Sequence, residues 1–389
     1  MTTTPAPALR IGLSADWHLG RRLGYRMDAR GVNARSADLE RAVTAVVDGF
    51  IAERVDVAIV AGDLFDSPAP PEHARQALVR EIGRLRAALP AATIILLRGN
   101  HDARQILSDA TAVGTAALAL PGVEVVDDPE VRIIRRDGVA FHCLPWMPSD
   151  EEFAAAVAAL RPDPASARNY VILHTGLARL PEYAELRPGS QTVTDGLLPQ
   201  GFDGIYSGHY HGHRIYNDIN WVFIGSPERL SITESRDPKG WLLIDAATGA
   251  LSMRHTPARS WYDLSIDATN KSSSQIVEEA GAIAAALPDW NEALVRLTIE
   301  AIAPETAATI DAGALRRIAG RAFHHELRLR VADPAMIAAD GGPLDADGPL
   351  FADMALEWAR FAEGLTGVDE ATRAEIRTIG ADALSVRAA

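Results

Sequence analysis

Cysteine is almost absent from this 389-residue chain. The single Cys143 excludes an intrachain disulfide. A lone thiol of this kind fits a reducing, cytoplasmic setting and reads as a buried, inert side chain. Positive charge is also scarce: 38 Lys and Arg stand against 52 Asp and Glu, a formal net charge of −14. A protein that grips DNA by itself over a large surface is usually basic. The balance therefore argues against a stand-alone, high-affinity DNA binder. It leaves room for an enzyme in which metal ions and local arginines meet the phosphates. No apolar run is long enough to span a bilayer. The opening MTTTPAPALRIGLSADWHLG lacks a positive stretch followed by an apolar one, so neither a membrane span nor a signal peptide is expected.

What is present is ordinary for a globular protein: 48% hydrophobic and 23% charged residues. The length suggests two domains and a tail. Short apolar β-type runs occur at Leu9–Ser14, Val57–Ala61, Thr93–Leu97, Val131–Arg135, Val139–Leu144, Tyr170–Leu173, Gly204–Tyr206 and Trp221–Ile224. Helices are expected over Ser36–Arg54, with Ser36 as N-cap, and over Pro71–Leu89, which opens with prolines. A hairpin is expected in Gly240–His255, turning at 246–249. Alternating strands and helices point to an α/β layered domain, here residues 1–258. The later strands lack helices between them and require a mixed sheet or two packed sheets. From Ser260 the order becomes strand Tyr262–Asp267, helix Ser273–Leu287, strand Ala293–Ile299, helix Ala312–Phe323 and strand Glu326–Val331. That order suits a small α+β domain, residues 259–340. His324 and His325 fall between its elements as solvated loop residues.

Residues 341–349 are rich in Gly, Asp and Pro and read as a linker. Beyond it Phe351, Met354, Trp358, Phe361 and Leu365 form a helical apolar face. The face either packs on the protein's own body or docks against a partner helix. Charge is unevenly placed. Residues 341–389 hold nine acids against four arginines, whereas 21–36 hold Arg21, Arg22, Arg26, Arg30 and Arg35 against Asp28 alone.

Four clusters follow or end expected strands: Asp16-Trp17-His18-Leu19-Gly20, Gly62-Asp63-Leu64-Phe65-Asp66, Gly99-Asn100-His101-Asp102, and His174 with Gly208-His209-Tyr210-His211. Ligands at the C-terminal ends of strands in an α/β sheet converge on one crevice. Imidazole nitrogens with carboxylate and amide oxygens suit manganese, iron or zinc rather than a calcium cage. One carboxylate can bridge two ions roughly 3.5–4 Å apart, a pair that clamps phosphate and activates water. Each piece alone is weak, because Gly-Asp or Asp-x-His is common in capped turns. Five of the eleven histidines in these motifs make an ordered set.

That set resembles the calcineurin-like metallophosphoesterases, and within them the SbcD-type double-strand-break-repair nucleases. Asp16–Gly20 followed by arginines is similar to the first motif of that branch. Gly62–Asp66 followed by three prolines is similar to its second. Gly99–Asp102 ends in Asp, whereas the protein-phosphatase branch has Glu. Gly225-Ser226-Pro227-Glu228-Arg229 and Lys239-Gly240 resemble the stretch after the last histidines of SbcD-type chains. The resemblance covers residues 9–255 with specific motifs, and 260–335 by element order alone. It implies an α-β-β-α fold with a small capping domain and a C-terminal helical tail for partner docking. It further implies that Asp16, His18 and His211 hold one divalent ion, with manganese expected. Asn100, His174 and His209 would hold the other, and Asp63 would bridge them. His101 would protonate the leaving oxygen, a task that imidazole performs at neutral pH. Asp102 would orient His101 by a hydrogen bond.

The implied activity is a DNA exonuclease, 3′ to 5′ on duplex, with endonuclease action on hairpins or single strands. The implied partners are DNA, an SbcC-type coiled-coil ATPase and a second copy of the chain. A stand-alone phosphodiesterase or phosphatase on small substrates, and a non-catalytic DNA-end tethering subunit, are the rival readings. Arg21, Arg22 and Arg26 either line a DNA path or form a solvated loop. His213 reads as a polar rim residue, although a register slip of two would pair it with His211. Asp66 reads as a turn cap. Residues 176–200 match nothing assignable.

Overall fold

Five-residue apolar runs form the centre of the molecule because both of their faces are covered. The computed structural model describes residues 9–103, 111–117, 120–180 and 191–332. Strands β1 (Arg10–Ser14), β2 (Val57–Ala61) and β3 (Thr93–Leu97) run parallel in one sheet. Helices α1 (Ala34–Ala52) and α2 (Glu72–Ala88) form the crossovers. The short helix α3 (Ala112–Ala117) leads to β4 (Glu124–Val126) beside β3.

A second sheet begins with β5 (Arg132–Arg136) and β6 (Val139–Leu144). Helix α4 (Asp150–Ala159) crosses to β7 (Arg168–His174). A separate two-stranded pair, β8 (Gly176–Leu177) and β9 (Thr192–Val193), interrupts the chain before β10 (Gly204–Gly208), β11 (Arg214–Tyr216) and β12 (Trp221–Phe223). The second sheet is ordered β11-β12-β10-β7-β6-β5. The chain then returns to the first sheet through the hairpin β13 (Gly240–Asp245) and β14 (Ala250–His255), giving the order β14-β13-β1-β2-β3-β4.

Side-chain alternation explains the layering. Leu13, Ile59, Ile95, Phe141, Ile172 and Ile244 point between the sheets and form one core. Val60, Ile94 and Trp241 point outward and pack with Val46, Phe50, Leu78 and Ile82 of the first two helices. Leu173 and Phe223 do the same with Phe153 and Val157 of α4. Each fully buried side chain of this size contributes about 1.5–3 kcal/mol. The result is the expected mixed α/β architecture of two sheets between helices.

The start of α1 corrects the expected cap. Asn33, not Ser36, is the N-cap, and its side chain accepts from the Arg35 amide. The Ser36 hydroxyl instead donates to the Arg21 carbonyl, tying down the loop that follows β1.

A third sheet contains β15 (Trp261–Asp267), β16 (Leu294–Ile302) and β17 (His324–Val331), with β16 in the middle. Helices α5 (Ser273–Ala286), α6 (Pro304–Thr309) and α7 (Ala312–Ala319) connect them. Ile266, Ile276, Val295, Leu297, Ile299 and Leu315 give this region its own core. His324 and His325 open β17 rather than lying between elements, which corrects the sequence reading. The strand is largely solvent-facing, so its polar first half gives little apolar signal.

Arg259 joins this sheet to the rest. Its guanidinium reaches Asp38 on α1 at 2.6 and 2.8 Å and stacks over Phe323 at 3.8 Å. Among the described residues, no helix is long and apolar enough to cross a membrane. The linker 341–349, the apolar stripe from Phe351 to Leu365, and residues 181–190 lie outside the described residues.

Candidate metal centre

The ends of β1, β2, β3, β7 and β10 bring the four clusters together. Their backbones turn sharply there. Asp16, His18, Asp63 and His209 all have positive φ, between +44° and +82°. Asp and His tolerate this left-handed region better than most residues, and such strain concentrates at functional sites. The turns are locked by main-chain bonds: Asp16 N donates to Gly62 O and His18 N to Asp63 O, at 3.0 and 2.9 Å. Two glycines make room. A Cβ on Gly99 would lie 2.2 Å from Asp63 Oδ1, and one on Gly62 would lie 2.1 Å from His174 Nδ1.

Asp63 sits at the middle. Its Oδ1 accepts from the His101 amide at 2.8 Å. Its Oδ2 lies 3.4 Å from His18 Nε2 and 3.3 Å from His174 Nε2. One carboxylate oxygen thus lies close to two imidazoles. On one flank, Asp16, His18 and His211 place ligand-type atoms within 4.8 Å of one another. On the other flank Asp63, His174 and His209 do the same. The Asn100 Oδ1 oxygen joins this second group, 3.1 Å from His174 Nε2 and 2.9 Å from His209 Nδ1.

Among the described residues, Asp16 Oδ2 and His18 Nε2 are buried without a hydrogen bond, although Asp63 Oδ2 stands 3.4 Å from His18 Nε2. Such orphaned polar atoms are costly unless something else satisfies them. Oxygen and imidazole donors converging around them fit a divalent transition-metal ion. The charge pattern agrees. Burial opposes ionisation of Asp63, yet the His174 ring, with His18 and His101 nearby, holds it well below the usual carboxylate range. Conversely, His174 rises to about 9 against its burial because Asp63 faces it. Burial, with His174 beside it, lowers His209 to about 3. These opposed shifts mark a place where positive charge beside Asp63 is favoured, as a divalent ion would supply.

Behind the ligand-type residues stands a second set, most of which the sequence did not disclose. Asp66 Oδ1 lies 3.2 Å from His18 Nδ1 and accepts from Arg21 at 3.1 Å. Asp66 is therefore not merely a turn cap. Glu234 Oε1 lies 3.0 Å from His211 Nδ1, and its Oε2 accepts from the buried Lys239 ammonium at 2.6 Å. Burial opposes the ionised form of Glu234, but His211 and Lys239 hold it well below the usual carboxylate range. His174 Nδ1 faces the Ala61 carbonyl at 2.8 Å. Asp66, Arg21 and Lys239 lay within or beside motifs the sequence offered, but no fixed spacing relates them to the imidazoles they support, and Glu234 gave no sequence signal.

His101 is half-buried, its ring edge-on to His18 at 4.7 Å between centroids. Its Nδ1 lies 2.9 Å from the Asp66 carbonyl oxygen. The expectation that Asp102 orients His101 is corrected here. The Asp102 oxygens accept from the amides of Leu64, Phe65 and Gly99 at 2.9–3.2 Å. Asp102 points beneath the site and braces the second and third clusters against each other. Its burial and the nearby Asp63 carboxylate push it up to about 7, against those three donors.

His213 stands apart from the ligand-type groups, with Nδ1 2.9 Å from the Phe223 carbonyl. Of the arginines after β1, Arg35 is buried against Asp38 and Glu228, and Arg30 pairs with Asp28 and Glu40. Arg26 stacks over Phe323 at 4.9 Å. Arg22 is exposed, and its side chain has no polar partner among the described residues.

Comparison with known proteins points to one family. The sequence profile of the calcineurin-like phosphoesterases matches residues 9–213. The chain is 27% identical over 288 residues to the SbcD subunit of the SbcCD nuclease of Rhodobacter capsulatus, covering 64% of this chain and 69% of that one. It is 29% identical over 250 residues to the DNA double-strand break repair protein Mre11 of Saccharolobus solfataricus, covering 59% and 58%. Against the protein of that name from Methanopyrus kandleri it is 26% identical over 377 residues, covering 87% and 75%.

Proposed function

The chain belongs to the calcineurin-like phosphoesterase family, and from that premise we propose that it is a metal-dependent DNA nuclease of double-strand-break processing. The observation that carries the proposal is Asp63 Oδ2 placed between His18 Nε2 and His174 Nε2. Relatives named as a nuclease subunit and as break-repair proteins support DNA as the substrate.

Asp16, His18 and His211 would hold one divalent ion, and Asn100, His174 and His209 the other, with Asp63 shared. Manganese is the proposed metal. When bound, such ions supply Lewis acidity toward phosphate and lower the pKa of water. The chain's own part is positional and protonic. The Asp66 carbonyl accepts from His101 Nδ1, which leaves Nε2 as the nitrogen that carries the transferable proton. In hydrolysis the water oxygen forms the new bond to phosphorus. The bond to the sugar oxygen breaks, His101 gives that oxygen its proton, and the proton that the attacking water loses passes to solvent, from which His101 is reprotonated. Asp102 holds the Gly99 amide and, through it, the turn that carries Asn100 and His101.

The reading extends to 3′ to 5′ exonuclease action on duplex ends and to endonuclease action on hairpins or single strands, in the cytoplasm. DNA would meet Arg21, Arg22 and Arg26. An SbcC-type coiled-coil ATPase and a second copy of the chain are the proposed partners. The subunit name of one relative and the acidic balance of this chain favour a protein that borrows affinity from a partner.

The test offers purified protein with manganese three substrates: end-labelled duplex, a hairpin and a chromogenic phosphodiester. The proposal expects both DNAs to be cut. Turnover of the small ester alone would instead assign the protein to small substrates. Metal binding with no turnover of any substrate, with or without the ATPase, would point to a tethering role.

A further inference from the structure

Trp146 stands apart from the other described tryptophans. Trp17, Trp221, Trp241 and Trp290 are buried, and Trp261 packs beside Leu294 and Phe323. Trp146 is half-buried and belongs to none of the hydrophobic cores. Among the described residues its indole has no ring partner and no hydrogen bond. A large amphipathic ring in this state keeps a face and an N–H available to a ligand.

Its place is set by the strand ends. β6 runs parallel beside β7, with Leu144 level with Leu173, so the chain leaves β6 next to His174. Trp146 also meets the third cluster. Its amide donates to the Arg98 carbonyl at 3.1 Å, and Arg98 Nη2 donates back to its carbonyl at 2.8 Å. Arg98 stands two residues before Asn100. Trp146 therefore adjoins both the turn that carries Asn100 and His101 and the turn that carries His174.

The next residue is clasped in the same way. Gln191 Oε1 accepts from the Met147 amide at 3.2 Å, and Gln191 Nε2 donates to the Met147 carbonyl. The Gln191 carbonyl in turn accepts from the Thr175 hydroxyl and the Gly176 amide, at 2.9 and 3.0 Å, directly after His174. Arg98 and Gln191 are both buried. Burying such polar groups is costly unless they are bonded, and both bond to this one loop. Two successive loop residues are thus fixed at amide and carbonyl alike, which is what keeps a binding side chain in one place.

We propose that Trp146 is a substrate-binding residue whose indole stacks on the base of the nucleotide held at the metal centre. An indole face suits a base of any sequence, because every base has a π-face. Contacts to phosphate alone would hold any phosphodiester; the indole adds a preference for a nucleotide. A base inside a duplex is covered by its neighbours, so the contact takes a base that is terminal or already unpaired. The inference rests on DNA as the substrate and is independent of which metal is bound.

The test gives the full chain, with manganese, two duplexes that differ only in the nucleotide released by wild type. In one this nucleotide carries an unpaired base; in the other it is abasic. Trp146→Ala should lower kcat/KM on the first about 5- to 150-fold, the worth of one base stacked on an aromatic ring. The loss should fall mainly on KM, and the abasic end should be cut as by wild type. Trp146→Phe keeps an aromatic face and should recover most of the loss. A second reading needs no turnover. In the His101→Ala background, 2-aminopurine at the same position should be quenched on binding, and Trp146→Ala should abolish the quenching. Unchanged kcat/KM in Trp146→Ala would overturn the proposal, as would quenching that survives it. Equal losses on the two ends would also overturn it, because they mark a residue that only props the Asn100 turn. Wild type that cuts neither duplex, while turning over a small phosphodiester, would overturn the DNA reading itself and this inference with it, a result distinct from the others.

Discussion

His101 Nδ1 lies 2.9 Å from the main-chain carbonyl of Asp66, and the His101 amide donates to Asp63 Oδ1 at 2.8 Å. The proposed acid is thus fixed at both ends by the turn that carries Asp63. Its ring is placed by the backbone, independently of any neighbouring acid.

Removing that ring should separate chemistry from metal binding. His101→Ala is expected to lower kcat on DNA by about 10²- to 10⁴-fold, the usual worth of general acid catalysis. Manganese stoichiometry should stay unchanged, because His101 is not among the proposed ligands. Rate measurements and equilibrium dialysis on the same preparation check this. Full activity in the variant would remove His101 from the mechanism.

Gly99→Ala should do the reverse. A Cβ there would press on Asp63 Oδ1 and on the Asp63 amide, at 2.2 and 2.3 Å. Overpacking of this kind costs about 1–3 kcal/mol and shifts the backbone. The shift falls on the residue between the two flanks. Calorimetry should find manganese binding lost or weakened at both positions, with a lowered denaturation midpoint. Wild-type affinity in this variant would show that the Asp63 turn is not tightly determined.

The sequence disclosed part of this geometry and concealed the rest. Val57–Ala61, Thr93–Leu97 and Val139–Leu144 were legible to the residue, because strands covered on both faces must be continuously apolar. The strand-end clusters were legible because an ordered set of imidazoles and carboxylates has few other uses. Asp66 and Glu234 were not legible in their roles. They stand 48 and 23 residues from the imidazoles they face, and no periodicity links such positions. Asp102 misled because adjacency in sequence suggested pairing with His101, whereas its oxygens accept from the amides of Leu64, Phe65 and Gly99 and the His101 ring meets the Asp66 carbonyl. Ser36 misled because Asn33, three residues earlier, is as good a cap, and the Ser36 hydroxyl is used by the Arg21 carbonyl.

Arg259 carries a prediction about the third sheet. Its guanidinium spans Asp38, Glu292 and the Phe323 ring, and Asp38 is buried. Arg259→Ala leaves Asp38 with both Arg35 and Arg41, so the cost stays at or below the low end for a broken buried pair, about 3 kcal/mol. Hydrogen exchange should quicken in β15 and β16 more than in β1–β3. Uniform protection across all of these strands would assign the joint to other contacts.

Arg22 tests the DNA path. Its side chain is exposed and has no polar partner among the described residues, whereas Arg21 and Arg26 are already engaged. If Arg22 meets a phosphate, Arg22→Ala should weaken duplex binding irrespective of sequence. It should also reduce the slope of log affinity against log salt by about 0.9. An unchanged slope would place the path elsewhere.

The most direct test of the account counts metal and measures DNA cleavage in one sample. Wild-type protein is dialysed against manganese, its bound ions are counted, and end-labelled duplex is added. The account predicts two ions per chain and release of nucleotides from the duplex, with both lost in Asp63→Asn. Two bound ions without cleavage of any DNA, alone or with the ATPase, while a small phosphodiester is turned over, would contradict it.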